Sequence, residues 1–389
     1  MDFQLVKDED LEAVKWLWSY CFESHEPFFS WYFSNYYQGE NTLAGYLDNR
    51  LVSCLQLIPY KIFLRGQLLP TSYIIGLATY PEVRQSGVVA GLLKAALEEM
   101  RRRGHYVNIL MPFKTGFYYH YQWEICYHHY KYLIPLADLK DLAAGWGSFY
   151  LVKNGMEIPK LQNVYEKFTA DKHGYIVRQK KNWEHILAEV WGEKGFIYLL
   201  ESPQGPQGYV IYILRDNRIF LREMAYTSLQ AQKALFLFLY GHRSQVEMLE
   251  WNAPLDDLTY FNLPEAKREV KIFPFIMGRL VDVAKALESV SYQNGLTEQI
   301  KVQIQDNLAP WNNQTFLLKV AEGAGRVKNL GGQAGEIECS VGAFSQLFFG
   351  RLSASELNKM GKLKCASSEK IQILDKVFPR CNNYINEYL

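Results

Sequence analysis

The chain has 389 residues and a mass of 45.2 kDa, too long for one average core, which predicts roughly two or three domains. With 42 lysines and arginines against 41 aspartates and glutamates, the formal net charge is +1, and no long run carries a single sign. This excludes an extended nucleic-acid surface or a patch for anionic membranes. The start, MDFQLVKDEDLEAVKWLW, is acidic and amphipathic rather than basic and then apolar, so no signal peptide is expected, and no apolar run reaches spanning length. Six scattered cysteines without metal-type pairing fit reduced thiols in a cytoplasmic protein.

Residues 8–22 read as a first helix, with Leu11, Val14, Leu17, Trp18 and Cys21 on one stripe, and residues 27–36 as a second. A strand at 42–48 turns at Asp48-Asn49-Arg50 into a strand at 51–60, and a further hairpin follows at Arg65-Gly66-Gln67. Two aromatic clusters, Phe28, Phe29, Trp31, Tyr32, Phe33, Tyr36 and Tyr37, and then residues 117–132, either line a pocket or pack a core.

Residues 73–110 carry the most informative pattern: a strand ending near Thr79, a tight basic turn, a helix and a second strand at 106–111. The helix is marked by Val89, Leu92, Leu93, Ala96, Leu97 and Met100 at three- and four-residue intervals, with Glu98, Glu99 and Arg101 to Arg103 opposite. Gly104 stops it. Backbone N–H groups of the turn Arg84, Gln85, Ser86, Gly87, Val88 and Val89 converge where the positive end of the helix points, which suits an anionic ligand. The plainer reading is an ordinary helix entry in an α/β domain.

A second αβ pattern follows: a helix at 183–191, a hairpin from 196–201 to 208–214, a strand at 218–226 and a helix at 229–243. Here Ala225-Tyr226 runs into Thr227-Ser228-Leu229 with no glycine turn and no arginine, so this module is expected to shape a cleft without holding a cofactor. The cations Arg178, Lys180 and Lys181, like Arg101 to Arg103, read as solvated faces. Residues 275–389 change character, with a helix at 281–287, strands at 300–304, 314–320 and 336–340, a glycine-rich hairpin region at 324–335, and short helices at 341–349 and 353–359.

The spacing Arg84-x-x-Gly87-x-x-x-x-Leu92 resembles the acetyl-CoA signature of the GNAT acyltransferase superfamily. Together with the tyrosine-rich stretch Gly116 to Trp123, the motif-less second module and the third domain, the whole chain resembles one branch of it, the enhanced-intracellular-survival family of aminoglycoside-type N-acetyltransferases. The resemblance implies an α/β (α+β) architecture of tandem GNAT folds. The first (1–150) is active and the second (151–275) degenerate, and a sterol-carrier-like α+β C-terminal domain (276–389) follows.

The resemblance also implies acetyl-CoA as cosubstrate without a metal, and direct attack by a primary amine of a small polyamine or aminoglycoside-like substrate. Backbone amides at Leu77 and Thr79 would hold the pantetheine arm and the turn from Arg84 to Val89 the pyrophosphate. Tyr118 would be the general acid and the carboxylate of Leu389 a base, and a homo-oligomer is implied. The chain departs from the family pattern at Val89, where most members of the superfamily have Gly or Ala, and at Tyr119 and Gln122, where the branch has glycine. Tyr119 and Tyr121 stay open as alternative acids, and Glu124, His120 and His128 as bases or substrate contacts. A protein-lysine acetyltransferase, or a non-catalytic binding protein on the same scaffold, stays open as an alternative function.

Overall fold

The structure, a computed structural model, describes residues 1–22, 24–84 and 86–388. The first unit runs β1 (Asp2–Leu5), α1 (Leu11–Cys21), α2 (Phe28–Trp31), β2 (Thr42–Leu47), β3 (Arg50–Leu64), β4 (Gln67–Thr79), α3 (Val88–Arg102), β5 (Val107–Leu110), α4 (Thr115–His120) and β6 (Glu124–Ile125). The expected stripe of α3 is realised: Leu92, Leu93, Ala96, Leu97 and Met100 are fully buried. On the other face of the sheet lies α1, burying Val14 and Leu17, with Trp18 seated over a bulge in β4. Only glycine fits under it, because a Cβ at Gly76, where φ is 61°, would stand 2.3 Å from the indole.

The second unit comprises β7 (His128–Pro135), β8 (Ser148–Leu151), α5 (Ile158–Thr169), β9 (Tyr175–Ile176), α6 (Lys180–Gly192), β10 (Phe196–Ser202), β11 (Gly205–Arg215), β12 (Arg218–Tyr226), α7 (Leu229–Tyr240), β13 (Met248–Ala253) and β14 (Val270–Pro274). Its sheet has the order β14-β7-β13-β12-β11-β10-β8. β15 (Met277–Leu280) then returns to the first sheet, whose order is β1-β2-β3-β4-β5-β15-β6, with β9 on the edge of β3. The chain therefore changes sheet before residue 135 and again near 277, and the division expected at 150 does not coincide with a sheet boundary. The cause is β7, whose Tyr132 and Ile134 alternate into the second core.

The third unit holds α8 (Val283–Glu288), β16 (Glu298–Gln305), β17 (Thr315–Ala321), β18 (Ala324–Asn329), β19 (Ile337–Ser340), α9 (Val341–Phe348), α10 (Ala354–Lys359), β20 (Leu363–Cys365) and α11 (Ser368–Val377) around a sheet of order β18-β17-β16-β19-β20. The glycine-rich region at 324–335 supplies the hairpin strand β18, paired antiparallel with β17. After α11 the chain leaves this unit and threads between the two larger sheets. Asn383 bridges His173, Tyr384 N donates to His173 O at 2.9 Å, and the Ile385 carbonyl meets His129 Nε2 at 2.8 Å.

Candidate active site

β4 and β5 pair in parallel from Thr71 opposite Val107 to Ile74 opposite Leu110, and there the pairing ends while β4 continues to Thr79. The two strands diverge into a wedge, leaving the β5-facing edge of residues 75–79 without a strand partner. Leu77 is half-buried in the bulged stretch and Thr79 is buried. At the mouth of the wedge, Gly87 caps α3 with φ 84°, and a Cβ there would meet nothing within 4 Å. Glycine serves here for its left-handed backbone, not for space.

The first N–H groups of α3, around Val88 and Val89, have no intrahelical acceptor. Val88 is buried and Val89 half-buried, so the side chains anchor the turn while its backbone faces outward. Arg84 Nε donates to Thr79 O at 3.1 Å, which ties the turn to the end of β4. Ser86 Oγ donates to Val83 O at 2.7 Å. Gln85 lies outside the described residues. The site thus combines a helix N-terminus, an arginine and an open strand edge, an arrangement that fits a long anionic ligand with a hydrogen-bonding arm.

Tyr118 sits on α4, just past β5, and is 4% exposed. Its ring packs edge-on against Phe113 and Phe117, at 5.6 and 5.0 Å. Burial alone pushes its phenol far above the usual range, and its Oη has no hydrogen-bond partner among the described residues. Such a hydroxyl stays protonated and so is available as a proton donor. The neighbours differ: Tyr119 is 44% exposed and Tyr121 half-buried. Of the other candidates, both carboxylate oxygens of Glu124 accept from Lys362 at 2.9 Å. His128 Nδ1 accepts from Arg351 Nε at 2.9 Å, and burial depresses its pKa to about 4. His120 is exposed.

The face of β3 and β4 that meets α1 and α2 carries hydroxyls. Tyr32 Oη donates to Gln56 at 2.7 Å, and Tyr36 and Tyr60 hydroxyls are 3.2 Å apart. Tyr73, one residue before the last β4–β5 pair, donates to the Glu387 carbonyl at 3.1 Å. The tail therefore reaches the wedge, with residues 383–387 buried. Leu389 itself lies outside the described residues. Behind Glu387, Arg178 Nε donates to its carboxylate at 2.8 Å, while the terminal guanidinium nitrogens hold Glu223 at 2.8 and 2.7 Å. Arg178 is thus not part of a solvated face: its side chain is 0% exposed, because the partners that neutralise it come from β12 and the tail. Sequence reading missed Glu223 and Glu387 since nothing in local spacing joins residues so far apart.

The second unit repeats the topology with different chemistry. β12 and β13 pair in parallel from Arg218 to Leu221 and then diverge, with α7 crossing between them. The first turn of α7 is capped by Ser228 Oγ, which accepts from Ala231 N at 3.2 Å. The adjoining cavity of about 550 Å³ is lined by Asp141, Asp256 and Asp257 against one lysine, Lys233, and Asp256 is paired with Lys172 at 2.8 Å. This balance favours an anion less than the turn at Gly87 does.

An acetyltransferase (GNAT) domain family matches residues 2–126, and a second acetyltransferase (GNAT) domain family matches residues 174–280. The chain thus carries two acetyltransferase (GNAT) domains. Residues 283–386 match a sterol carrier protein domain, so two GNAT domains precede a sterol-carrier-like domain, as expected from the sequence. The chain is 25% identical over 357 residues to the N-acetyltransferase Eis of Mycobacterium tuberculosis, covering 86% of this chain and 82% of that one. In fold it is similar to a GCN5-related N-acetyltransferase from Anabaena variabilis, with TM-score 0.86, 21% identity and full coverage of both chains. It is likewise similar to Eis1 of Mycobacterium abscessus, with TM-score 0.78, 19% identity and full coverage of both. The protein is an acetyl-CoA-dependent N-acetyltransferase.

Proposed function

We propose that the chain acetylates a primary amine by direct attack, at one site formed by the β4–β5 wedge, the turn at Gly87 and Tyr118. The observation that carries this reading is the contrast between the two wedges. One opens onto a glycine turn with a basic residue, and the helix following its second strand carries a buried, unpartnered phenol; the other has no glycine, is capped by Ser228, and adjoins a cavity with three aspartates against one lysine.

Acetyl-CoA supplies the thioester carbon that the amine attacks. The backbone of Leu77 and Thr79 on the open edge of β4 binds the pantetheine arm, and the turn formed by Arg84, Gln85, Ser86, Gly87, Val88 and Val89 binds the pyrophosphate. Tyr118 holds a proton for the departing thiolate. A thiol has a pKa of about 8.5 and a phenol of about 10, so position rather than acidity makes the donation effective. The incoming ammonium must also lose a proton, and the carboxylate of Leu389 is the base we propose; in support, the preceding residues 383–387 are buried and the Glu387 carbonyl accepts from Tyr73.

The direct test is twofold. Acetyl-CoA is expected to raise the melting temperature of the full chain, and primary amines to release CoA from it. Absence of any shift at saturating acetyl-CoA sinks the cofactor assignment, and binding without CoA release from a broad amine panel sinks the enzymatic one.

A further inference from the structure

Three cavities of about 390, 760 and 740 Å³ are lined by residues from β3, α2, α5 and α6. They share walls. Tyr36 and Lys181 line both the first and the second, and Gly155 and Glu184 line both the second and the third. The first begins beside Tyr60, next to Tyr73 and the tail, with the two rings 6.0 Å apart. The second is walled by Phe28, Trp31, Leu187 and Trp191, and the third by Met156 and Ile158.

The charges along this path are few and one-sided. Lys61 and Lys181 line it without a carboxylate partner among the described residues, and Lys181 Nζ stands 5.2 Å from the Tyr36 ring centre. Lys180 pairs with Glu184, the only carboxylate lining the three cavities among the described residues, at 3.6 Å. Arg178 also borders the third cavity, but its guanidinium is committed to Glu223 and Glu387. The remaining basic group, His105, is depressed to about 4 by burial and is neutral at physiological pH, as are the phenols of Tyr36 and Tyr60, raised by burial.

A polycation laid along this path would carry several ammonium groups past two unneutralised lysines, with its one carboxylate already paired. An apolar body meets aromatic and aliphatic walls, and a distal anion meets Lys181 or Lys61. We propose that the acceptor is an amine on an aromatic or aliphatic body whose far end is neutral or anionic, and that Lys181 selects it. This rests on the proposed reading of the cleft as the acceptor side of an acetyl-transfer site, and it departs from the small polyamine or aminoglycoside-like substrate suggested by family resemblance.

Three amines of one length separate the cases: 8-aminooctanoate, octylamine and 1,8-diaminooctane, assayed by CoA release from acetyl-CoA with the full chain at low ionic strength. kcat/KM is expected to fall in that order, with roughly tenfold between the first and last as like charges approach, and the difference lying in KM. Lys181→Glu, a surface change, is expected to reverse the order. Equal or better use of the diamine, an order unchanged in Lys181→Glu, or no turnover of any of the three while acetyl-CoA still raises the melting temperature, overturns the inference and leaves the acetyl-CoA site standing. Failure of acetyl-CoA to bind overturns both.

Discussion

Arg178 Nε donates to the Glu387 carboxylate at 2.8 Å where both side chains are shut off from solvent, and the same guanidinium grips Glu223 with its other nitrogens. One buried cation thus serves two buried carboxylates, one on β12 and one in the tail. Glu223 takes two of the three charge-assisted bonds, and Arg178 holds its pKa below the usual range against the opposing effect of burial. For Glu387, burial comes first and the neighbouring Glu223 adds to it, so its pKa is raised.

Removing the cation leaves both carboxylates buried without the guanidinium that pairs them, Glu223 keeping only the neutral donors Tyr209 Oη and Asn386 Nδ2. Arg178→Met is therefore expected to lower unfolding free energy by about 3–5 kcal/mol. Arg178→Lys should rescue little, since an ammonium cannot reproduce three fork-directed bonds. Denaturant unfolding of the three proteins checks this, and a fully stable Arg178→Met would show that the tail is held by other contacts.

Glu387→Gln separates the pH dependence of the two carboxylates. A folded pKa above the unfolded one stabilises fully below the unfolded pKa and is lost as pH rises through the folded value. The glutamine variant has no such loss. Its melting temperature relative to the parent should rise as pH increases above the ordinary glutamate range. Buried histidines such as His129 and His185, both depressed to about 4, make both proteins less stable as pH falls from their usual value, and they cancel in the difference. A difference that stays flat across the range contradicts a raised Glu387.

The parts of this molecule that follow local rules could be read from the residues. The α3 stripe, the Gly87 turn and the missing turn after Tyr226 all depend on neighbours within one or two helical turns. The Arg178 network depends on three segments up to 209 residues apart, and three cations within four residues, Arg178, Lys180 and Lys181, look like a solvated face whichever way each points. Burial was decided by tertiary partners that carry no periodicity. The early change of sheet at β7 was hidden for a related reason: its alternating aromatics suit either sheet, and only the pairing with β13 and β14 selects the second.

At Gly87 the left-handed backbone is the requirement, with φ 84° and open space around the missing Cβ. Gly87→Ala should add roughly 1–2 kcal/mol of backbone strain at the turn. Relieving it would turn the first N–H groups of α3 away from the pyrophosphate. Acetyl-CoA affinity, measured by calorimetry, is expected to drop by about tenfold or more, in line with about 1.4 kcal/mol per decade. Gly87→Asn should recover part of the loss, because asparagine tolerates this region. Equal affinity in all three proteins would remove the turn from the cofactor site.

Tyr118→Phe tests the proton donor while preserving the packing against Phe113 and Phe117. Losing a positioned general acid is expected to lower kcat by about 10²- to 10⁴-fold. Acetyl-CoA affinity should be unchanged, because the hydroxyl has no partner whose loss would disturb the wedge. The raised phenol pKa adds a second readout. The parent should show no alkaline fall in kcat from this group below about pH 10, since burial keeps it protonated there. If Tyr119 or Tyr121 were the acid instead, its phenylalanine variant would show the loss and Tyr118→Phe would keep near-normal turnover.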